Sequence, residues 1–180
     1  LSSIKLAHKY DIENIKLYYI IGLPTETDED IDEMIGFLTD IKDFMKGIGN
    51  KTGTLTISVN PFIPKPFTPF QWFGMESIET LSSRINKLQN RLKSKGIKVL
   101  FESPRLSEIQ SALSRGDRLT GMLLYEIYKL GGKASDYRKA QIQGRKMEFY
   151  AHRYLPQEDV LPWEHIDIGL NKEYFISEYK

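Results

Sequence analysis

No cysteine occurs among the 180 residues. The chain therefore forms no disulfide, ligates no zinc or iron–sulfur cluster through thiolate, and has no cysteine nucleophile. Histidine is almost as scarce, with three residues. His165 beside Glu164 and Asp167 has no second histidine at helical spacing, and His8 and His152 stand apart, so no metal site is expected. No apolar run approaches the roughly 18 residues of a membrane-spanning helix. Charge is nearly balanced, 25 Lys and Arg against 24 Asp and Glu, so no global field selects nucleic acid or an acidic partner. With no secretory signal pattern at Leu1-Ser2-Ser3-Ile4-Lys5, a cytoplasmic protein is expected. Hydrophobic residues make up 41%, enough for a core and too many for a disordered chain.

What is present has a repeated grammar. Lys16-Leu17-Tyr18-Tyr19-Ile20-Ile21 is a consecutive apolar run stopped by Gly22-Leu23-Pro24, and it predicts a buried strand. Thr27 with Asp30 forms a capping-box pattern before Ile31, Met34, Ile35, Leu38, Ile41 and Met45, which keep helical spacing until Gly47-Ile48-Gly49-Asn50. A second strand over 54–60 meets prolines at 61, 64, 66 and 69. A helix with Ile78, Leu81, Ile85, Leu88 and Leu92 on one face then ends at Gly96, and Ile97–Phe101 reads as a third strand. Strand, helix, strand, helix, strand is the order of parallel βαβ crossovers. After Pro104 helices are expected over 105–114 and 117–130, split by Arg115-Gly116, and over 134–153, followed by a compact aromatic turn at 161–167.

Three parallel strands leave two open edges and cover their helices only in part. The expectation is an α/β fold that is part of something larger, with earlier βα units on the N-terminal side. The sequence begins at Leu1 rather than Met, in keeping with that expectation.

Two segments could carry chemistry. In parallel α/β folds ligands bind at the C-terminal ends of strands, where Gly22 permits close approach and Pro24 fixes the chain's exit. Six of the eight residues 26–33 are acidic, which disfavours an anionic ligand; a plain strand-to-helix loop with acids complementing the helix dipole is the other reading. The second segment, Asn60-Pro61-Phe62-Ile63-Pro64-Lys65-Pro66-Phe67-Thr68-Pro69-Phe70-Gln71-Trp72, is stiff, extended and aromatic. It suits a wall for a flat heterocycle, a proline-rich ligand for a partner domain, or a loop that packs over the sheet.

The segments Tyr19-Ile20-Ile21-Gly22-Leu23-Pro24-Thr25-Glu26-Thr27 and Val59–Trp72 together resemble the later part of a radical S-adenosylmethionine (SAM) barrel. The resemblance is closest to a group of radical SAM proteins that often carry an N-terminal cobalamin-binding-type domain. Members of that group have Ser-Arg-Gly-Asp-Arg and Leu-Pro-Trp-Asp-His-Ile-Asp stretches after the barrel. Here Ser114-Arg115-Gly116-Asp117-Arg118 and Leu161-Pro162-Trp163-Glu164-His165-Ile166-Asp167 stand in those places. The resemblance implies a partial (β/α) barrel with parallel strands over 1–102, the C-terminal portion of a six-stranded one, followed by a mostly helical C-terminal extension over 103–180 with a docking tail. It implies SAM and a four-iron four-sulfur cluster as cofactors of the full-length protein, with cobalamin a further cofactor that the group's N-terminal domain suggests. Ile20 would contact the adenine, Gly22 would shape the turn, Glu26 would organise it, and Asn60, Pro61 and Phe62 would offer backbone contacts to the same ring. The Cys-x-x-x-Cys-x-x-Cys motif that binds the cluster is absent, so the chain alone is expected to be inactive and to need the remaining barrel portion as its partner.

The competing reading is a non-enzymatic RNA- or protein-binding α/β module. Residues 133–153 hold six basic and two acidic side chains among aromatics, a pattern that grips RNA or merely solvates a helix. RNA binding through this stretch is expected to weaken steeply with salt and with charge removal at Arg138, Lys139, Arg145 and Lys146; filter binding at low salt that detects no RNA overturns it.

Overall fold

The computed structural model describes residues 1–50 and 52–179, of which about half are helical. The chain forms two compact units. Residues 1–61 and 79–103 make the first, and residues 62–78 and 104–180 the second. The proline-rich loop, grouped with the barrel portion on sequence grounds, is thus part of the second unit beyond Pro61.

In the first unit, α1 (Ser2–Lys9) precedes β1 (Ile15–Ile21), α2 (Asp28–Gly47), β2 (Leu55–Pro61), α3 (Ile78–Lys93) and β3 (Ile97–Phe101). The strands form one parallel sheet in the order β1-β2-β3, with Ile20 opposite Asn60 and Tyr18 opposite Ser58, itself opposite Leu100. The α/β class and the parallel sheet expected from the sequence are therefore present. Thr27 caps α2 through a complete capping box: its side chain accepts from the Asp30 amide, and the Asp30 carboxylate accepts from the Thr27 amide at 2.7 Å.

Burial alternates along the sheet. Leu55, Ile57, Val59 and Pro61 of β2 are buried, while Thr56, Ser58 and Asn60 between them are half-buried. On β1, Lys16, Tyr18 and Ile20 are exposed, Tyr18 to 70% and Ile20 to 54%. The fully buried first strand expected from its consecutive apolar residues is not observed. Successive strand side chains point to opposite faces, and within this unit only one face is covered. Ion pairs show which face. Arg84 of α3 meets Asp28 of α2 at 3.1 Å and Lys87 meets Asp32 at 2.8 Å, so the two helices lie side by side. Their buried rows, Ile31, Ile35, Leu38, Ile41 and Met45 on α2 and Leu81, Ile85, Leu88 and Leu92 on α3, provide the core. Each such side chain contributes about 1.5–3 kcal/mol on full burial.

The N-terminal end of the sheet is closed by Asn50, whose amide donates to the Glu13 carbonyl at 2.8 Å and whose carbonyl accepts from the Gly53 amide at 2.8 Å. A Cβ at Gly53 would collide with both partners, which explains glycine there.

The second unit contains α4 (Pro104–Arg115), α5 (Arg118–Leu130), α6 (Asp136–Lys139), α7 (Met147–His152) and α8 (Lys172–Tyr179). The single helix expected over 134–153 is replaced by α6 and α7. Between them Gln143 and Gly144 take φ values of 50° and 76°, and Ile142 and Arg145 exchange two backbone hydrogen bonds of 2.9 Å, a tight two-residue turn. One cluster gathers Ala112, Leu123, Ile127, Met147 and Tyr150; another gathers Trp72, Leu155, Leu161, Trp163 and Phe175. No helix among the described residues is long and apolar enough to cross a membrane.

His152 ties the loop 62–78 to this unit. Its Nδ1 lies 2.8 Å from the Met75 carbonyl and its Nε2 2.8 Å from the Glu108 carboxylate. Both partners are acceptors, and both contacts are hydrogen bonds when the ring carries its second proton. The hydrogen bond to Glu108 raises its pKa above the usual value; burial opposes this, and the Met75 carbonyl and the charges of Glu108 and Glu148 add to the rise. A raised histidine pKa stabilises the fold fully below about pH 6.5, the unfolded value, and the contribution fades as pH rises through the folded value. Urea unfolding is expected to show falling stability as pH climbs from about 6 to 8. His152→Gln is expected to flatten that slope, and an unchanged slope would show that another group controls it.

Candidate functional site

The C-terminal end of β1 builds the first candidate site. Gly22 is buried with φ 82°, a conformation that favours glycine, and its amide donates to Glu26 Oε1 at 2.8 Å. The same oxygen accepts from Arg84 Nη1 at 2.7 Å, while Arg84 Nη2 donates to the Glu26 carbonyl at 3.1 Å and Nε to Asp28 at 3.1 Å. Both the Glu26 and Arg84 side chains are 7% exposed. The loop is therefore closed on itself by Glu26 and pinned from α3 by Arg84. Burial pushes the Glu26 carboxyl up and Asp30 adds to this, and together they outweigh the Gly22 amide and Arg84, which pull it down. Glu26 Oε1 thus links the Gly22 amide to Arg84 and holds the loop's shape.

Ile20 and Asn60 stand in register on the open face of the sheet, and Pro61 is opposite Ile21 on the covered face. Ile20, Gly22, Glu26, Asn60 and Pro61 thus meet at the C-terminal ends of two neighbouring strands. Phe62 begins the second unit, where its ring meets Phe70 edge-on at 5.3 Å. Apolar surface from Ile20 next to the polar Asn60, above a rigid glycine turn, can seat one edge of a flat ring. Among the described residues no group of three or more His, Asp or Glu could hold a metal ion.

Arg84 was missing from the sequence reading. Its signal was its place: with Leu81, Ile85 and Leu88 it shares the apolar face of α3, where a charge needs a buried partner.

In the second unit, Ser114–Arg118 is a junction of helices. Arg115 is fully buried, its Nη1 donating to the Tyr150 and Ala151 carbonyls at 3.0 Å each and its Nη2 to the Arg153 carbonyl at 2.7 Å. It satisfies carbonyls that the end of α7 leaves without helical partners. Burial, and then the charge of Arg153, push the Arg115 pKa down to about 10. Asp117 caps α5 by accepting from the Leu119 amide at 2.9 Å. Gly116, Asp117 and Arg118 line a cleft of about 800 Å³ together with Leu161, Pro162 and His165, so the two stretches that follow the barrel in the resemblance converge there.

Part of the basic stretch is engaged locally. Arg145 approaches Asp117 at 3.6 Å and lies over the Phe149 ring at 4.9 Å, and Lys139 pairs with Asp136 at 3.8 Å.

No family model matches the chain, and no solved structure matches it. It is similar to the uncharacterised protein MJ0966 of Methanocaldococcus jannaschii, with 38% identity over 117 residues that cover 64% of this chain and 24% of that protein. The chain therefore spans about a quarter of the length of this curated relative.

Truncating Glu26→Ala leaves the buried Arg84 with the exposed Asp28 carboxylate and one carbonyl. A loss of about 2–3 kcal/mol is expected in chemical denaturation, since hydrogen bonds to charged groups carry about that much each. Combining it with Arg84→Met is expected to recover part of the loss; equal destabilisation by the double variant would refute the clamp.

Proposed function

We propose that this chain is the C-terminal part of a cytoplasmic radical SAM iron–sulfur enzyme, in which the first unit forms part of a (β/α) barrel and supplies the adenine-side wall of the SAM site. The observation that carries the reading is the bare face of the sheet, where Ile20 and Asn60 stand side by side at the C-terminal strand ends beside the Gly22 turn. Three parallel strands in sequential order with both helices on one side agree with a barrel segment. A doubly wound sheet would bury both faces. On the barrel reading the bare rows, Lys16 with Thr56 and Lys98 and Tyr18 with Ser58 and Leu100, line the lumen, and further strands pair with the edges of β1 and β3.

The residues present fit an adenine. Ile20 offers an aliphatic face, Asn60 a polar neighbour and main-chain groups, and the locked Gly22 turn an edge without a side chain. They do not fit the cluster, because the chain holds no cysteine, and no step of the reaction is assigned to this chain. The role of its residues is to bind and orient the nucleoside and to exclude water from it.

Full-length protein, purified without oxygen and reduced with dithionite, is expected to release 5′-deoxyadenosine from SAM. Ile20→Asp is expected to raise the KM for SAM about tenfold, the effect of losing a modest apolar contact, with a smaller change in kcat. A native gene that encodes no Cys-x-x-x-Cys-x-x-Cys ahead of Leu1, or a full-length protein that does not bind SAM, overturns the reading.

A further inference from the structure

A cavity of about 360 Å³ lies within the second unit, between the loop 62–78 and residues 161–175. Phe67, Trp163 and Phe175 give it aromatic walls, Leu170 lies at its margin, and Gln71 lines it. Its size is that of a small-molecule site.

Gln71 is 3% exposed. Its side-chain oxygen accepts from the Phe67 amide at 3.2 Å and from the Trp163 indole N–H at 2.8 Å. Both partners are donors, which fixes the oxygen's place and occupies its two lone pairs. The NH₂ group donates to none of the described residues. The NH₂ keeps contact with solvent through the cavity, so its two donors are open to an acceptor on a molecule that enters it.

The backbone beside it is strained for the same geometry. Phe67 has φ 58°, which a bulky side chain rarely adopts, and the Gln71 oxygen holds its amide there. Residues kept in such conformations by their surroundings cluster at ligand sites. Near the margin Lys172 pairs with Glu164 at 2.8 Å, and the Asp167 carboxylate accepts from the Gly169 amide at 2.8 Å. The interior therefore offers aromatic surface and an amide donor, with the one uncompensated charge, the Asp167 carboxylate, at the exposed margin, which disfavours an anionic ligand.

We infer that the second unit carries a small-molecule site in this cavity for a neutral planar ring bearing a carbonyl-type acceptor, the ring resting against Phe67 and Trp163 and the acceptor taking the Gln71 NH₂. The site lies in the unit that the SAM reading leaves without a role and does not depend on that reading.

The 180-residue chain titrated with benzamide and followed by heteronuclear NMR tests it. Saturable, millimolar shifts are expected, confined to the Gln71 side-chain amide, the Trp163 indole and the Phe67 backbone. Toluene, which has the ring but no acceptor, is expected to bind about tenfold more weakly, the ratio set by one buried hydrogen bond. Leu170→Glu, at a half-exposed margin position, is expected to keep the Tm and weaken benzamide about tenfold by placing a charge against the ring. Phe67→Gly, which permits the positive φ but removes an aromatic wall that packs on the Trp163 cluster, is expected to bind more weakly, and unchanged binding by it also overturns the site. Absence of saturable shifts, equal affinity for benzamide and toluene, or unchanged binding by Leu170→Glu overturns the site.

Discussion

Main-chain oxygen atoms that helices and loops leave unpaired must be satisfied when they are buried, and in each unit one buried guanidinium does this. Arg84 reaches the Glu26 carbonyl, the Glu26 carboxylate and Asp28. Arg115 reaches the carbonyls of Tyr150, Ala151 and Arg153. Arginine suits both tasks because its planar fork offers several donors in fixed directions and keeps its charge under burial. The arrangements differ in one respect. Arg84 is neutralised by Glu26, whereas Arg115 is held by neutral carbonyls, and its burial, with Arg153 nearby, lowers its pKa.

The two clamps fix loops that meet candidate sites. In the first unit, the glycine turn after β1 cannot wander, because the Gly22 amide, Glu26 and Arg84 form one chain of hydrogen bonds. A ligand at the strand ends would meet a preorganised edge, and the ordering entropy of that loop is already spent in folding. In the second unit Arg115 joins α4 to the end of α7, and Gln71 joins the proline-rich loop to the tail.

The legible and illegible parts of the molecule divide by the range of the interactions. The three strands, α2, α3, α4 and α5 could be read because their signals are local: apolar spacing, the Thr27–Asp30 box, and the glycines at 96, 116 and 131. The bare face of β1 could not be read, since Tyr18 and Ile20 are as apolar as their buried neighbours and only the missing cover exposes them. The turn at Gln143-Gly144 was lost inside a run with helical composition. The clamps were invisible for a different reason: Arg84 meets Glu26 across 58 positions, and Trp163 meets Gln71 across 92. No short motif encodes a pair so far apart. A charge on an apolar helix face signals only that some partner exists.

The exposed apolar row on the sheet bears on how the first unit is read. An edge strand with Tyr18 and Ile20 open, unprotected by proline or a bulge, is a surface that isolated sheets avoid. Lys16 and Lys98 flank the row, but Ile20 and Leu100 at the C-terminal end have no such guard. Stability alone would favour polar residues there, as it does on the solvated face of ordinary antiparallel sheets. Their retention is understandable if the row normally faces a lumen, where apolar side chains contact a ring and half-buried Thr56, Ser58 and Asn60 supply polar partners. The same row explains why the sheet needs only one layer of helices: on the barrel reading the second layer is the rest of the barrel.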